Sequence, residues 1–297
     1  MTVLEDFQFE VNGYVFGRRC PVFVDTAGFD PGSAEWTTQD TTNPMSGATN
    51  FGRDVLSGPE WTWMLHVDGD QDLGESDGLR ILGEMGAAWR NGANGYKDSS
   101  VVLPLRYRLA GRTRVVFGRP RRFDYKPDGR ILGGYLPPSA SFKTADPLHY
   151  DDVESGIDIT LAPPISGGTS FPAVFPITFR RDPGYLPPSA LVVGGDAPTA
   201  PIVEFIGPVL NPSVTIGAFT IGLTGQIGEG GIVTMDARPW INSITRSGNT
   251  AGASVSRATR LTAARLRPGN YSAVFRGQDA SGQGRCRVRW RNAWHTL

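Results

Sequence analysis

A mainly β chain is predicted by three observations. The 297 residues include 38 glycines and 23 prolines, a density that breaks a chain into short strands and turns. Short stretches of alternating apolar and polar residues recur along it, and only one stretch carries helical periodicity. At 32.0 kDa with 39% hydrophobic residues the chain is long enough for two ordinary cores, so two domains are expected. No apolar run approaches the roughly 18 residues of a membrane span. The start, MTVLEDFQFE, lacks a basic segment followed by an apolar one, which predicts a soluble chain with no export signal.

The elements follow in order. Phe7 to Val11, Tyr14 to Phe16, Val22 to Val24 and Trp61 to Val67 alternate and are bounded by Gly, Asp, Asn or Pro. A helix follows, with Ser76 as its cap, Leu79, Leu82, Met85 and Trp89 on one face, and Asn91-Gly92 as its stop. Strands resume at Val101 to Leu109 and Arg114 to Phe117, joined through Ala110-Gly-Arg-Thr113 as a hairpin. Pro163, Pro164, Pro172, Pro176, Pro183, Pro187, Pro188 and Pro198 then interrupt regular pairing, which predicts an extended crossing between domains. The heptapeptide Gly-Tyr-Leu-Pro-Pro-Ser-Ala occurs at 134–140 and again at 184–190, but its flanks do not repeat, so it is read as coincidence or a local duplication.

From Pro201 onward short strands are evenly spaced: 202–206, 213–216, 219–223, 231–235, 271–275 and 285–291. This is the pattern of a β-sandwich. In the last of them Arg285, Arg287, Arg289 and Arg291 share one face, and Cys286, Val288 and Trp290 the other. The expected boundaries are a first domain at 1–155, a Pro-rich crossing at 156–200 and a sandwich at 201–297.

The charges balance, with 29 Lys and Arg against 29 Asp and Glu, but unevenly along the chain. Residues 1–100 hold 6 basic and 16 acidic residues, 101–130 hold 9 and 2, 131–245 hold 4 and 10, and 246–297 hold 10 and 1. Solvated faces are one reading, and complementary patches between copies or partners the sharper one. The basic stretch Arg106 to Arg122 includes Tyr107 and Phe117, as a nucleic-acid surface would. A neutral chain lacks the unopposed basic footprint of such binders, so an inter-subunit face is preferred.

Candidate chemistry is sparse. His66, His149 and His295 are too scattered for a metal site, and no His-Glu-x-x-His or Cys-x-x-Cys is present. Asp68, Asp70 and Asp72 begin like a calcium loop, but Leu73 and Leu79 stand where glycine and glutamate are required, leaving a solvated turn. No nucleophile elbow, phosphate loop or dinucleotide fingerprint occurs. Cys20 and Cys286, near opposite ends, are expected as free thiols. Asn270-Tyr-Ser272 matches the glycosylation triplet by chance. Asp236 has no histidine or second carboxylate beside it in sequence, and a strand-end hydrogen-bonding role is expected. The reading is therefore of no enzyme, no cofactor and no metal.

Five motifs in order carry a resemblance. Ser141 to Tyr150, with Asp146, Pro147 and Tyr150, resembles the close of the first domain in distal tail proteins of long, flexible-tailed phages. Thr169 to Pro176, with Phe171, Pro172 and Pro176, is similar to that family's interdomain signature. Ala197 to Pro212 resembles the opening of its second domain, with Gly207, Pro208, Asn211 and Pro212. Gly228 to Trp240, containing Asp236, resembles its glycine-led hairpin. Leu266 to Asn270, with Pro268, Gly269 and Asn270, and Val288 to Trp294, with Trp290 and Trp294, resemble its ending.

The resemblance covers about residues 140–297 well and the first domain only in its strand-rich layout. It implies a structural subunit of the virion tail tip, assembled in the host cytoplasm. The first domain would form a closed ring, usually six-fold, that continues the tail tube, with a galectin-like sandwich on its rim. Implied partners are further copies of the chain, the tail tube protein, the tape-measure protein and the tip hub and receptor-binding proteins. DNA would pass through the ring without sequence recognition, and no membrane span or catalysis at Asp236 is implied. The alternative is a carbohydrate-binding module that presents Trp240, Trp290 or Trp294 to host-wall glycans; core packing is the expected role of those rings.

Overall fold

The computed structural model describes residues 3–68, 75–92, 101–126, 129–133, 135–161, 189–247, 249–250, 255–279 and 281–296. The fold is mainly β, with one α-helix, Glu75–Gly92, among the described residues. Two compact units form: Met1–Asp152 with Trp294–Leu297, and Val153–Ala293.

In the first unit an antiparallel sheet runs in the order Tyr135–Leu136, Glu60–Asp68, Pro138–Thr144, Arg112–Tyr125, Leu103–Leu109, Gln8–Val11, Tyr14–Gly17. Val22–Asp30 adds to Glu60–Asp68, and His149–Asp151 to Arg112–Tyr125. Alternation builds the core side: Trp61, Trp63, Leu65 and Val67 are buried on one face of their strand, while Met64 between them is exposed. An aromatic cluster fills the interior. Phe9 stacks on Phe16 with centroids 5.4 Å apart, and Trp63 meets Phe9, Phe16 and Trp89 edge-on at 5.5, 5.7 and 5.9 Å. Burying a ring such as Phe9 stabilises by about 1.5–3 kcal/mol relative to exposure. The hairpin at Ala110-Gly111 has φ of 48° and 76°, the positive pair that a two-residue turn needs to match strand twist.

The helix buries Ile81, Leu82, Met85 and Trp89. Leu79, expected on that face, is 38% exposed: the buried stripe runs through 81, 85 and 89 at intervals of four, which leaves position 79 on its border. The helix begins at Glu75, so Ser76 falls one residue inside it.

The second unit is a sandwich. One sheet runs Ser155–Thr160, Arg285–Trp290, Ile202–Ile206, Ile232–Asp236, Ser243–Arg246, Asn249–Thr250; the other runs Ser189–Val193, Gly269–Gln278, Val209–Ile216, Phe219–Gly222, with Gln226–Ile227 on Val209–Ile216. Val203, Phe205, Met235 and Val288 of the first sheet share one core with Leu191, Val214, Ile216 and Phe275 of the second. Phe205 stacks on Phe275 at 5.8 Å.

The boundaries differ from those expected. Ser155–Thr160 and Ser189–Val193, placed by the sequence in a crossing segment, are edge strands of the sandwich. The last residues, from Trp294, belong to the first unit rather than to the second. Ile157, Ile159 and Leu161 do alternate with Asp158 and Thr160, but this short run and Ser189–Val193 flank a proline-rich stretch, which masked both as strands. Phe171, Pro172, Pro176 and most prolines of the expected crossing lie outside the described residues, as do Asp70 and Asp72.

Candidate functional site

The signature residues that the structure describes form joints of the fold. Asp146 starts a tight turn: its Oδ1 accepts the Leu148 N–H at 3.3 Å, and its Oδ2 accepts the Tyr150 hydroxyl. Tyr150 is buried edge-on against Phe117, 5.5 Å between centroids, with Pro147 inside the loop it closes. Gly207 lies where a Cβ would stand 2.1 Å from the Gly228 carbonyl oxygen, so only glycine fits before Pro208. Asn211 adopts φ 50°, and its side-chain oxygen accepts the Gly225 N–H at 2.8 Å. With Pro212 it forms the irregularity between Leu210 and Ser213 that shifts the register of Val209–Ile216. Gly269 and Asn270, after Pro268, begin the strand that pairs with Ser189–Val193.

Asp236 ends its strand buried and paired. Its Oδ1 accepts the Arg238 backbone N–H at 3.0 Å, and the Arg238 guanidinium grips both carboxylate oxygens, at 2.6 Å from Nη2 and 3.0 Å from Nε. A carboxylate held this way has its acceptor capacity consumed by a structural partner. Among the described residues no cluster of three or more His, Cys, Asp or Glu is arranged to hold a metal ion, and no helix is long and apolar enough to cross a membrane.

Two of the tryptophans offered as glycan platforms are committed elsewhere. Trp290 is 4% exposed in the sandwich core. The Trp294 indole donates to Asp151 Oδ1 at 2.8 Å, and the Arg114 guanidinium lies 4.3 Å from its ring centroid. Trp240 is half-buried. Beside Arg114, His149 is buried and within 2.8 Å of the Tyr107 hydroxyl through Nδ1. Burial, reinforced by the Arg114 charge, lowers its pKa to about 4. Burial likewise pushes the Cys286 thiol up, and both Cys286 and Cys20 are free.

The charge blocks answer one another within each unit. In the first, Arg106 pairs with Glu10 and with Asp152, and Arg108 reaches Asp6 at 3.3 Å. In the second, Arg287 pairs with Asp158 at 2.7 Å, while Arg289 pairs with Glu154 at 2.8 Å and Glu204 at 2.5 Å. The arginine face of Arg285–Trp290 is therefore met in part by carboxylates of the neighbouring strands. The basic stretch, expected as an inter-subunit face, is likewise largely occupied at home: Arg114 is buried, Arg119 donates to the Val101 carbonyl at 2.7 Å and Arg122 pairs with Asp124.

An exposed arm, which the sequence does not predict, extends from the first unit. Between Asp30 and Glu60 the chain runs out and back as a two-stranded arm, with Glu35–Thr37 on Val55–Ser57 and Thr41–Thr42 on Thr49–Asn50. Its tip is closed by the Asn43 N–H to the Ala48 carbonyl at 2.8 Å. Every residue from 35 to 55 is exposed, including Trp36, Met45 and Phe51. With no buried face there is no alternation to detect; the available cue was Asn43-Pro44 and Ser46-Gly47, turn pairs flanked by threonines.

No protein-family model and no curated protein sequence matches the chain. Solved structures do. The chain is similar to the SPP1 Dit protein, described as a paradigm of the hub adsorption apparatus in phages infecting Gram-positive bacteria. The TM-score is 0.55 at 13% identity, over 97% of this chain and 99% of that one. It is also similar to a chain of the phage P2 baseplate in its activated conformation with Ca, with TM-score 0.55 and 10% identity over 98% and 99% of the two chains. The same baseplate with Sr gives 0.52 and 9% over 95% and 97%. At these identities the likeness is one of fold.

Proposed function

We propose that this chain is a structural subunit of a phage tail tip. Copies close a ring, six-fold in the family it resembles, through the first unit; the ring continues the tail tube, and the sandwich units decorate its rim. The observation that carries this reading is the shared fold over nearly the full length of both chains with a phage hub protein. The ordered motifs from Asp146 to Trp294 add to it, since those that the structure describes serve as turns, bulges and strand ends and hold no reactive group aimed at a substrate.

The tail tube protein, the tape-measure protein and the hub and receptor-binding proteins of the tip are the partners this role requires, and DNA would traverse the channel without sequence recognition. A purely structural role is supported by Asp236, whose carboxylate is taken up by Arg238. Gold-labelled antibody against the purified protein, applied to virions assembled from the genome that encodes it, tests the assignment. Label at the tail end distal to the capsid is expected; label on the capsid, or none on the virion, would overturn it.

A further inference from the structure

We propose that the arm of one copy docks in the groove beside the helix of the next copy, so that unlike patches of the first unit meet head to tail. This rests on the ring reading above and names the surfaces that close it.

The arm is built to be covered. A two-stranded ladder alone is marginal in water, yet this one presents Trp36 at 65%, Met45 at 96% and Phe51 at 86% exposure. Its root is fixed to the core. A Cβ on Gly32 would stand 2.6 Å from the Glu60 carbonyl oxygen, and one on Gly58 would stand 2.6 Å from that of Thr144, so the backbone is pressed against neighbouring strands at both entry and exit. The arm is acidic, with Glu35, Asp40 and Asp54 against Arg53.

The groove has the complementary character. Leu79 and Gly83 on the exposed side of the helix face Phe123 and Tyr125 at the end of the long strand, enclosing a hollow of about 280 Å³. A second hollow of about 560 Å³ continues it, sharing Arg90, Phe123 and Tyr125. The floor is apolar and aromatic; Arg90 and Lys126 stand around it, beside Arg122, which is paired with Asp124. An aromatic such as Phe51 entering this floor, with the arm's carboxylates among these cations, satisfies both surfaces at once. In the single chain Phe51 is left in solvent, so its own groove does not receive it. Unlike patches on one chain make a heterologous contact, the kind that generates rings when the rotation closes.

The test uses the full chain. Phe51 is replaced by the photo-crosslinking residue p-benzoylphenylalanine, and irradiated protein is mapped by mass spectrometry. In parallel, Phe51→Glu and Gly83→Leu are followed by light scattering. A Cβ on Gly83 meets nothing within 4 Å, so the larger side chain fills the groove without disturbing the fold, which an unchanged melting curve verifies. Expected are covalent dimers linked to residues 75–92 or 112–126 of the second copy, and at least a tenfold rise in the concentration needed for assembly in both variants. A cross-link within one chain or to another surface, or assembly unaffected by both variants, would overturn the docking while leaving the ring reading in place. A chain that is monomeric at every concentration would overturn both.

Discussion

His149 and Asp236 show how buried polar residues in this chain are satisfied by packing. Asp236 drew notice as a lone carboxylate at a strand end, and Arg238 two residues on, already visible in the sequence, is its partner. His149 gave no such hint, because Tyr107 and Arg114 reach it only through strand pairing. Its depressed pKa has a signed consequence. Free histidine titrates near 6.5, and His149 in the fold near 4. Between those values the unfolded chain holds more protons at this site, so the histidine's contribution is intact above about pH 6.5 and is lost as pH falls toward 4. The loss amounts to about 3 kcal/mol at the low end. Thermal melts from pH 7 to pH 4 should show a steeper decline for the natural protein than for His149→Gln. Equal slopes would mean that His149 is protonated in the folded state.

At the scale of elements, legibility followed burial. Trp61 to Val67, Ile202 to Ile206 and Arg285 to Trp290 have one face in a core and one outside it, and their alternation was readable. Pro138–Thr144 alternates, with Ala140 and Phe142 buried and Ser139 and Lys143 half-buried, but its start within Pro137-Pro138 hid it as a strand. The arm is exposed on both faces and shows no alternation. The edge strands Ser155–Thr160 and Ser189–Val193 escaped because a proline-rich stretch lies between them, and they change what a stable fragment must contain. Each closes one sheet of the sandwich, against Arg285–Trp290 and Gly269–Gln278. Leu191 and Val193 are buried in the shared core. A fragment starting at 201 would expose that core along two edges, whereas 153–293 keeps both strands. Urea unfolding should find the longer fragment cooperative and the shorter one several kcal/mol less stable or unfolded, since each large buried side chain removed costs about 2–5 kcal/mol. Equal midpoints would show that the edge strands contribute nothing.

At the scale of the whole molecule, the alternating charge blocks invited a picture of bare complementary patches between copies. The structure shows much of that charge paired within units: Glu10 and Asp152 with Arg106, and Glu154 and Glu204 with Arg289. The docking proposed above draws on more local features, an acidic arm with exposed aromatics and a groove edged by cations. Five short motifs carried the resemblance from which the tail-tip role is proposed. Those the structure describes are joints of a fold shared with phage hub and baseplate proteins, and a joint leaves a sequence trace because a turn or a close approach admits few residue types. The surfaces that meet partners leave no such trace, since exposed positions accept many side chains.

Closure of a ring by this chain is the central claim, and native mass spectrometry of the purified full-length protein at near-neutral pH and low ionic strength tests it most directly. A single closed oligomer is predicted, six times the 32.0 kDa of one chain, reached at a sharp threshold of concentration and without larger species. A monomer at every concentration, or an open-ended ladder of masses, would contradict it.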